Sequence, residues 1–161
     1  MIRSALPQDA DALARLWNPW ITGTAITFNP TPKTGAEIAD LIAARRDAGH
    51  AFLLAETEGQ LLGFATYSQF RGGAGYARCM EHTIILAPEA RGRGTGRALM
   101  AAIEDHARNA GAHQMIGGIS GENPEARTFH EHLGFRLIAT IPEAGFKFGR
   151  YMDLLLLAKR L

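Results

Sequence analysis

Apolar residues recur along this chain with two periods, one of two residues and one close to 3.6, and the pattern switches repeatedly between them. "MIRSA" at the start predicts a short strand. From Pro7, the apolar residues Leu13, Leu16, Trp17 and Trp20 fall at helical spacing. Pro19 predicts that this helix fails there, since proline lacks an N–H and its ring crowds the preceding turn. "TGTAITFNPTP" then reads as a loop. Thr34 and Glu37 form a T-x-x-E capping box, and Ile38, Leu41 and Ile42 make one face of a second helix ending near Gly49. Three strands follow, "AFLLAE", "LLGFATYSQF" and "YARCMEHTIIL", the first two joined by a tight "TEGQ" turn, so an antiparallel meander is expected. Leu99, Met100, Ile103, Ala107 and Ala110 mark a third helix closed by Gly111. "HQMIGGIS" is the next strand, and "NPEARTFHEHLG" a short helix with Asn123 as N-cap, Pro124 in its first position and Gly134 just past its end. "FRLIATIP" and "KFGRYMDLLLLAK" close the chain as two strands. The expectation is an α/β chain forming one domain over 1–161, a single mixed, mostly antiparallel sheet with helices on both faces.

Composition narrows the possible partners. A chain of 161 residues that is 47% hydrophobic can bury a core without disulfides, and two domains are not expected. A formal net charge of +1, with no run of like charges, lacks the basic excess that a phosphate backbone rewards, so nucleic acid is not an expected partner. No apolar run approaches the roughly 20 residues of a membrane span. The first residues carry acidic side chains where a signal peptide needs an apolar stretch, so a cytoplasmic protein is expected. Cys79, the single cysteine, is expected to pack as a small apolar residue.

One stretch fits no core. "EARGRGTGR", Glu89 to Arg97, lies between the strand "HTIIL" and the third helix and places glycines on alternate positions. At a helix start several backbone N–H groups lack partners within the chain, glycines allow a ligand to approach them, and the helix dipole favours an anion there. A phosphate or pyrophosphate suits such a loop. A nucleoside triphosphate loop needs G-x-x-x-x-G-K-[ST], which is absent. A dinucleotide fingerprint needs a third glycine where Arg97 stands, and the next strand ends on no acidic residue. Coenzyme A, which needs both a pyrophosphate loop and an open strand for its pantetheine arm, is the third option.

Arg91, Gly94 and Gly96 resemble the [RQ]-x-x-G-x-[GA] loop of the GNAT family of acetyl-CoA-dependent N-acetyltransferases. The order of strands and helices is similar to that family over nearly the whole chain. "EHTIILAPEARGRGTG", "HEHLGF" and "GFKFGRYMD" look like its phosphinothricin and methionine sulfone or sulfoximine branch, small enzymes that acetylate, and so detoxify, amino-acid analogues at the α-amine. The resemblance implies the GNAT fold, acetyl-CoA as co-substrate, a small amine as partner and a homodimer. It implies main-chain contacts from Ile84, Ile85 and Leu86 to the pantetheine arm, and pyrophosphate contacts from the backbone of Gly92, Arg93, Gly94, Thr95, Gly96 and Arg97. The Arg91, Arg93 and Arg97 side chains are candidates for the phosphates, and Asn123 for the pantetheine, beside its plain reading as a helix cap.

The reaction itself calls for a base. An amine must be neutral to attack a thioester, and typical amines with a pKa near 10 are mostly protonated at neutral pH. Glu81, on the strand leading into the glycine loop, is the candidate general base, acting directly or through a water, and it matches the branch's catalytic glutamate. A backbone N–H near Leu86 is the candidate for stabilising the oxyanion. His130 stands where many of the family carry a tyrosine that protonates the leaving thiolate, although it also shares a helix face with Phe129 and Leu133. Phe28 and Phe70 are the expected pocket walls, with Tyr76 beside them, and Arg71, after Phe70 at the strand end, is the expected partner of the substrate carboxylate, with Arg78 and Arg150 as rivals. Phe148 occupies a position where the herbicide-detoxifying members have a histidine, which predicts a preference for sulfone over phosphinate. No metal is expected, because "HEHLG" lacks the second histidine of H-E-x-x-H. Two alternatives remain open, acetylation of a protein N-terminus or lysine, and a non-catalytic acetyl-CoA-binding module.

Overall fold

The sheet that organises this chain has seven strands, in a computed structural model that describes residues 1–161. In chain order the elements are β1 (Ile2–Ser4), α1 (Ala10–Gly23), α2 (Gly35–Asp47), β2 (Phe52–Thr57), β3 (Gln60–Gln69), β4 (Cys79–Leu86), α3 (Thr95–Asn109), β5 (Gln114–Ser120), α4 (Pro124–His132), β6 (Arg136–Lys147) and β7 (Arg150–Arg160). The strands lie in the order β1-β2-β3-β4-β5-β7-β6, antiparallel throughout except where β4 meets β5. Two apolar cores flank the sheet. One packs α3 against it through Leu99, Met100, Ile103 and Ala107, and the other packs α1 and α2 through Leu13, Trp17, Ile21, Ile38 and Ile42.

Local chemistry sets most element ends. Thr34 and Glu37 cap α2 reciprocally: Glu37 N donates to Thr34 Oγ1 at 3.2 Å, and Thr34 N donates to Glu37 Oε2 at 2.7 Å. Asn123 Oδ1 accepts from Ala126 N at 3.1 Å and starts α4.

Three boundaries differ from expectation. α1 does not fail at Pro19 but runs on to Gly23, because Leu13, Trp17 and Ile21 are buried along one stripe. Asn18 also ties the helix to the next segment, donating to Lys33 O and accepting from Lys33 N, each at 2.8 Å. Tyr76 to Arg78 precede β4 rather than begin it, and Tyr76 belongs to a short 3-10 turn. "KFGRYMDLLLLAK" is not one strand. Lys147 ends β6, and Phe148 and Gly149 form the hairpin turn at φ +54° and +72°. A phenylalanine in a left-handed conformation gives no turn signal in sequence, since glycine and asparagine are the residues that favour it.

Candidate active site

β4 and β5 pair over only part of their length. Cys79–His82 face Gln114–Gly117, but past that point Thr83–Leu86 keep partners on β3 alone and Gly118–Ser120 on β7 alone. The strands part like a wedge, leaving backbone groups on each inner edge free. At the apex there is no room to spare: a methyl group on Gly117 would come within 2.8 Å of His82 Cε1.

A cavity of about 510 Å³ runs through this wedge and reaches both faces of the sheet. That volume lies within the roughly 300–1,000 Å³ of small-molecule sites. Successive β4 residues point to opposite faces. Glu81 faces α1 and His82 faces α4, as their neighbours on β5 record: a Cβ on Gly118 would lie 3.6 Å from Glu81 Oε1, whereas Gly117 meets His82.

The structure brings together Glu81, His130, Ile84, Ile85, Asn123, Phe28 and Phe70, all of which line the cavity. Burial pushes the Glu81 carboxyl above the usual carboxylate range, the direction a base needs to work near neutrality. Asn123 both caps α4 and lines the cavity. Leu86 is not among the lining residues; its side chain instead meets the start of α3, where a Cβ on Gly96 would be 2.9 Å from Leu86 Cδ1 and 3.2 Å from the Phe129 ring.

Arg71 and Tyr76 also lie outside the lining. They sit in the exposed connection between β3 and β4, with the Arg71 guanidinium 5.7 Å from the Tyr76 ring centre. Phe148 is 53% exposed at the hairpin turn, flanked by Lys147 and Arg150, and does not line the cavity. The sulfone-over-phosphinate argument built on that ring therefore has no basis within this chain.

Three participants went unseen in the sequence. Lys33 is the one lysine or arginine lining the cavity, its ammonium 4.9 Å from the Trp17 ring centre. His82 contacts His130, Nε2 to Nε2, at 2.8 Å. Lys147 is 3% exposed and donates to the carbonyls of Ile21, Thr24 and Thr27 at 2.5, 2.6 and 2.7 Å, pinning the segment that carries Phe28. Strand alternation was the signal for His82; nothing local announces the two lysines, whose ammonium groups meet the Trp17 ring and carbonyls more than 100 residues away.

The loop before α3 behaves as its glycines suggest. Gly92 and Gly94 adopt φ of +74° and +75°, and no backbone carbonyl accepts from the N–H groups of Gly92, Gly94, Thr95, Gly96 or Arg97. Unpaired N–H groups at the positive end of a helix suit a diphosphate. The Arg93 and Arg97 side chains are exposed, and Arg91 reaches Glu125 on α4 at 2.8 Å in a solvent-exposed pair.

A splayed parallel pair, a raised carboxyl at its apex and an anion-ready loop on the adjoining helix together define an acyl-transfer site. The chain belongs to the acetyltransferase (GNAT) family, which residues 13–135 match. It is 34% identical over 154 residues to the L-methionine sulfoximine/L-methionine sulfone acetyltransferase of Salmonella typhimurium, covering 95% of this chain and 90% of that protein. Among solved structures, a phosphinothricin acetyltransferase from Sinorhizobium meliloti in complex with acetyl-CoA superposes with a TM-score of 0.94 at 31% identity, covering 100% of this chain and 88% of that one. A ribosomal-protein-alanine N-acetyltransferase from Brucella melitensis superposes with a TM-score of 0.96 at 34% identity, covering 100% and 99%. This chain is accordingly an acetyl-CoA-dependent N-acetyltransferase with the GNAT fold.

Proposed function

We propose that this enzyme acetylates the α-amine of a small amino acid of the methionine sulfone, methionine sulfoximine or phosphinothricin kind, with Glu81 as general base. The observation that carries the reading is the Glu81 carboxyl at the apex of the β4–β5 wedge, lining the cavity and raised by burial. The named activities of the relatives support the substrate class.

Acetyl-CoA supplies the activated acetyl group. The inner edge of Ile84 and Ile85 would hold its pantetheine arm as one strand holds another, and the unpaired N–H groups of Gly92, Gly94, Thr95, Gly96 and Arg97 would hold its diphosphate. Glu81, deprotonated, draws a proton from the incoming ammonium so that the nitrogen can attack. Lys33, rather than Arg71, would meet the substrate carboxylate, since it is the cation that lines the cavity. Phe28, Phe70 and Ile141 would wall the side chain.

The same proposal includes a homodimer in the cytoplasm. Six of the nine exposed large apolar side chains, Leu137, Ile138, Ile141, Phe146, Phe148 and Tyr151, stand on the β6–β7 hairpin, a concentration that favours an interface over solvent. The free thiol of Cys79 suits a reducing compartment, and no helix is long and apolar enough to cross a membrane.

The deciding experiment compares kcat/KM for methionine sulfone, phosphinothricin and a short peptide by CoA release. Either free amino acid exceeding the peptide by tenfold or more supports the proposal. The peptide winning by that margin, about 1.4 kcal/mol of transition-state preference, transfers the enzyme to protein substrates, the class that the name of the Brucella ribosomal-protein-alanine N-acetyltransferase gives.

A further inference from the structure

Of the 17 lysines and arginines in this chain only three are lysines, Lys33, Lys147 and Lys159. An arginine stays protonated and is no acyl acceptor, so these three are the side-chain amines open to acetylation. Two of them are occupied. The Lys147 ammonium donates to the carbonyls of Ile21, Thr24 and Thr27, which uses all three of its N–H groups. The Lys159 ammonium pairs with Glu104 of α3 at 2.6 Å, and neither residue lines the cavity. Lys33 differs on both counts. Its ammonium makes no hydrogen bond and no ion pair, lies over the Trp17 ring at 4.9 Å from the ring centre, and lines the cavity that also holds Glu81.

The backbone of Lys33 is fixed although its ammonium is not. Asn18 accepts from Lys33 N and donates to Lys33 O, each at 2.8 Å, which roots the residue against α1 at the cavity wall. From that root a flexible four-carbon stem carries the ammonium. Trp17 belongs to α1, and Glu81 faces α1, so the ammonium and the carboxylate enter the cavity from the same side of the sheet. The cavity thus contains an unpaired amine and a base. A bound substrate carboxylate engages this ammonium; without substrate, only the Trp17 ring holds it.

We propose that, when acetyl-CoA is bound and no amine substrate is present, the enzyme acetylates its own Lys33 at Nζ. This deepens the acetyl-transfer reading and rests on it. Glu81 takes one proton from the ammonium and passes it to solvent, leaving a lone pair on Nζ. That pair forms a bond to the acetyl carbon. The carbon–sulfur bond breaks with its electron pair on sulfur, and the second proton that Nζ sheds ends on the sulfur as free CoA thiol. An amide replaces an ammonium, so the cavity loses its one cation and a substrate carboxylate loses its partner. The modification therefore turns down the reaction on free amino acids, and a bound amino acid protects against it.

Purified enzyme incubated with acetyl-CoA alone, then digested and mapped by mass spectrometry, tests this. One acetyl group is expected at Lys33, with Lys147 and Lys159 modified at least tenfold more slowly, and at a rate per molecule that does not change on dilution of the enzyme. Glu81→Gln is expected to slow the modification tenfold or more, and saturating methionine sulfone to slow it in the wild type. The acetylated enzyme should show a KM for the free amino acid raised tenfold or more, with the acetyl-CoA Kd within twofold. An unmodified Lys33, three lysines acetylated alike, or a rate unchanged in Glu81→Gln would overturn the proposal. Should that variant not fold, methionine sulfone that is turned over without slowing the modification overturns it instead. CoA release with free amino acids separates the two readings: turnover with Lys33 unmodified ends this proposal alone, and neither reaction ends both.

Discussion

The Phe28 ring lies flat against the backbone of Gly145, so closely that a methyl group there would stand 2.5 Å from Phe28 Cδ2. One residue comes from the loop after α1 and the other from β6, and their contact seats a ring that lines the cavity. Two residues along β6, the Lys147 ammonium fixes the end of α1 and the same loop through three carbonyls. Lys147→Met is expected to leave those carbonyls unpaired, at roughly 1–3 kcal/mol for each that water cannot reach. KM for the amine should rise severalfold, while acetyl-CoA affinity stays near that of the wild type, because the diphosphate loop lies elsewhere. Thermal melts and initial rates measure both effects.

Lys33 and Arg71 separate two accounts of substrate binding. A charge-assisted hydrogen bond is worth about 1.5–3 kcal/mol, so Lys33→Met is expected to raise the KM for a free amino acid by tenfold or more. Arg71→Met, outside the cavity, should leave it within twofold. Steady-state kinetics on one substrate suffice, and the reverse ranking would return the carboxylate to Arg71.

Acetyl-CoA at about 100 times its dissociation constant is expected to stabilise the protein by roughly 2.7 kcal/mol. Gly94→Ala puts a side chain at φ +75°, which L-residues rarely adopt, so the loop should distort and the thermal shift should shrink. A full shift in that variant would mean the diphosphate is not held there.

Much of this was legible in the chain because it depends on neighbours in sequence. The capping box of α2, the Asn123 cap, the glycine loop and the placing of Glu81 just before an open strand edge are all local patterns, and all appear where the pattern puts them. What was illegible is long-range. Ile21 holds α1 together past Pro19 only because the core is there to receive it. The His82–His130 contact spans 48 positions and depends on β5 carrying glycine at Gly117. Phe148 was placed by analogy of motif and Arg71 by its position after a strand end, and each stands in an exposed connection in which a side chain's direction follows backbone angles, not spacing.

Burial of Glu81 has a consequence for stability. Its carboxyl is raised in the folded state, so folding favours the protonated form; the stability this lends is present below the ordinary glutamate pKa and is lost as pH rises through the raised value. Glu81→Gln removes the penalty of a half-buried charge at neutral pH. The variant is expected to melt above the wild type at neutral pH, with the difference fading in acid. Paired melts across that range read the sign.

The central claim is that Glu81 takes the proton from the attacking amine, and the pH dependence of kcat/KM in Glu81→Gln tests it most directly. The account predicts acetyl-CoA binding like that of the wild type, a loss of roughly 10²–10⁴-fold at neutral pH, and partial recovery toward alkaline pH, where the amine loses its proton unaided. A variant that keeps the wild-type rate and the wild-type pH profile would contradict it.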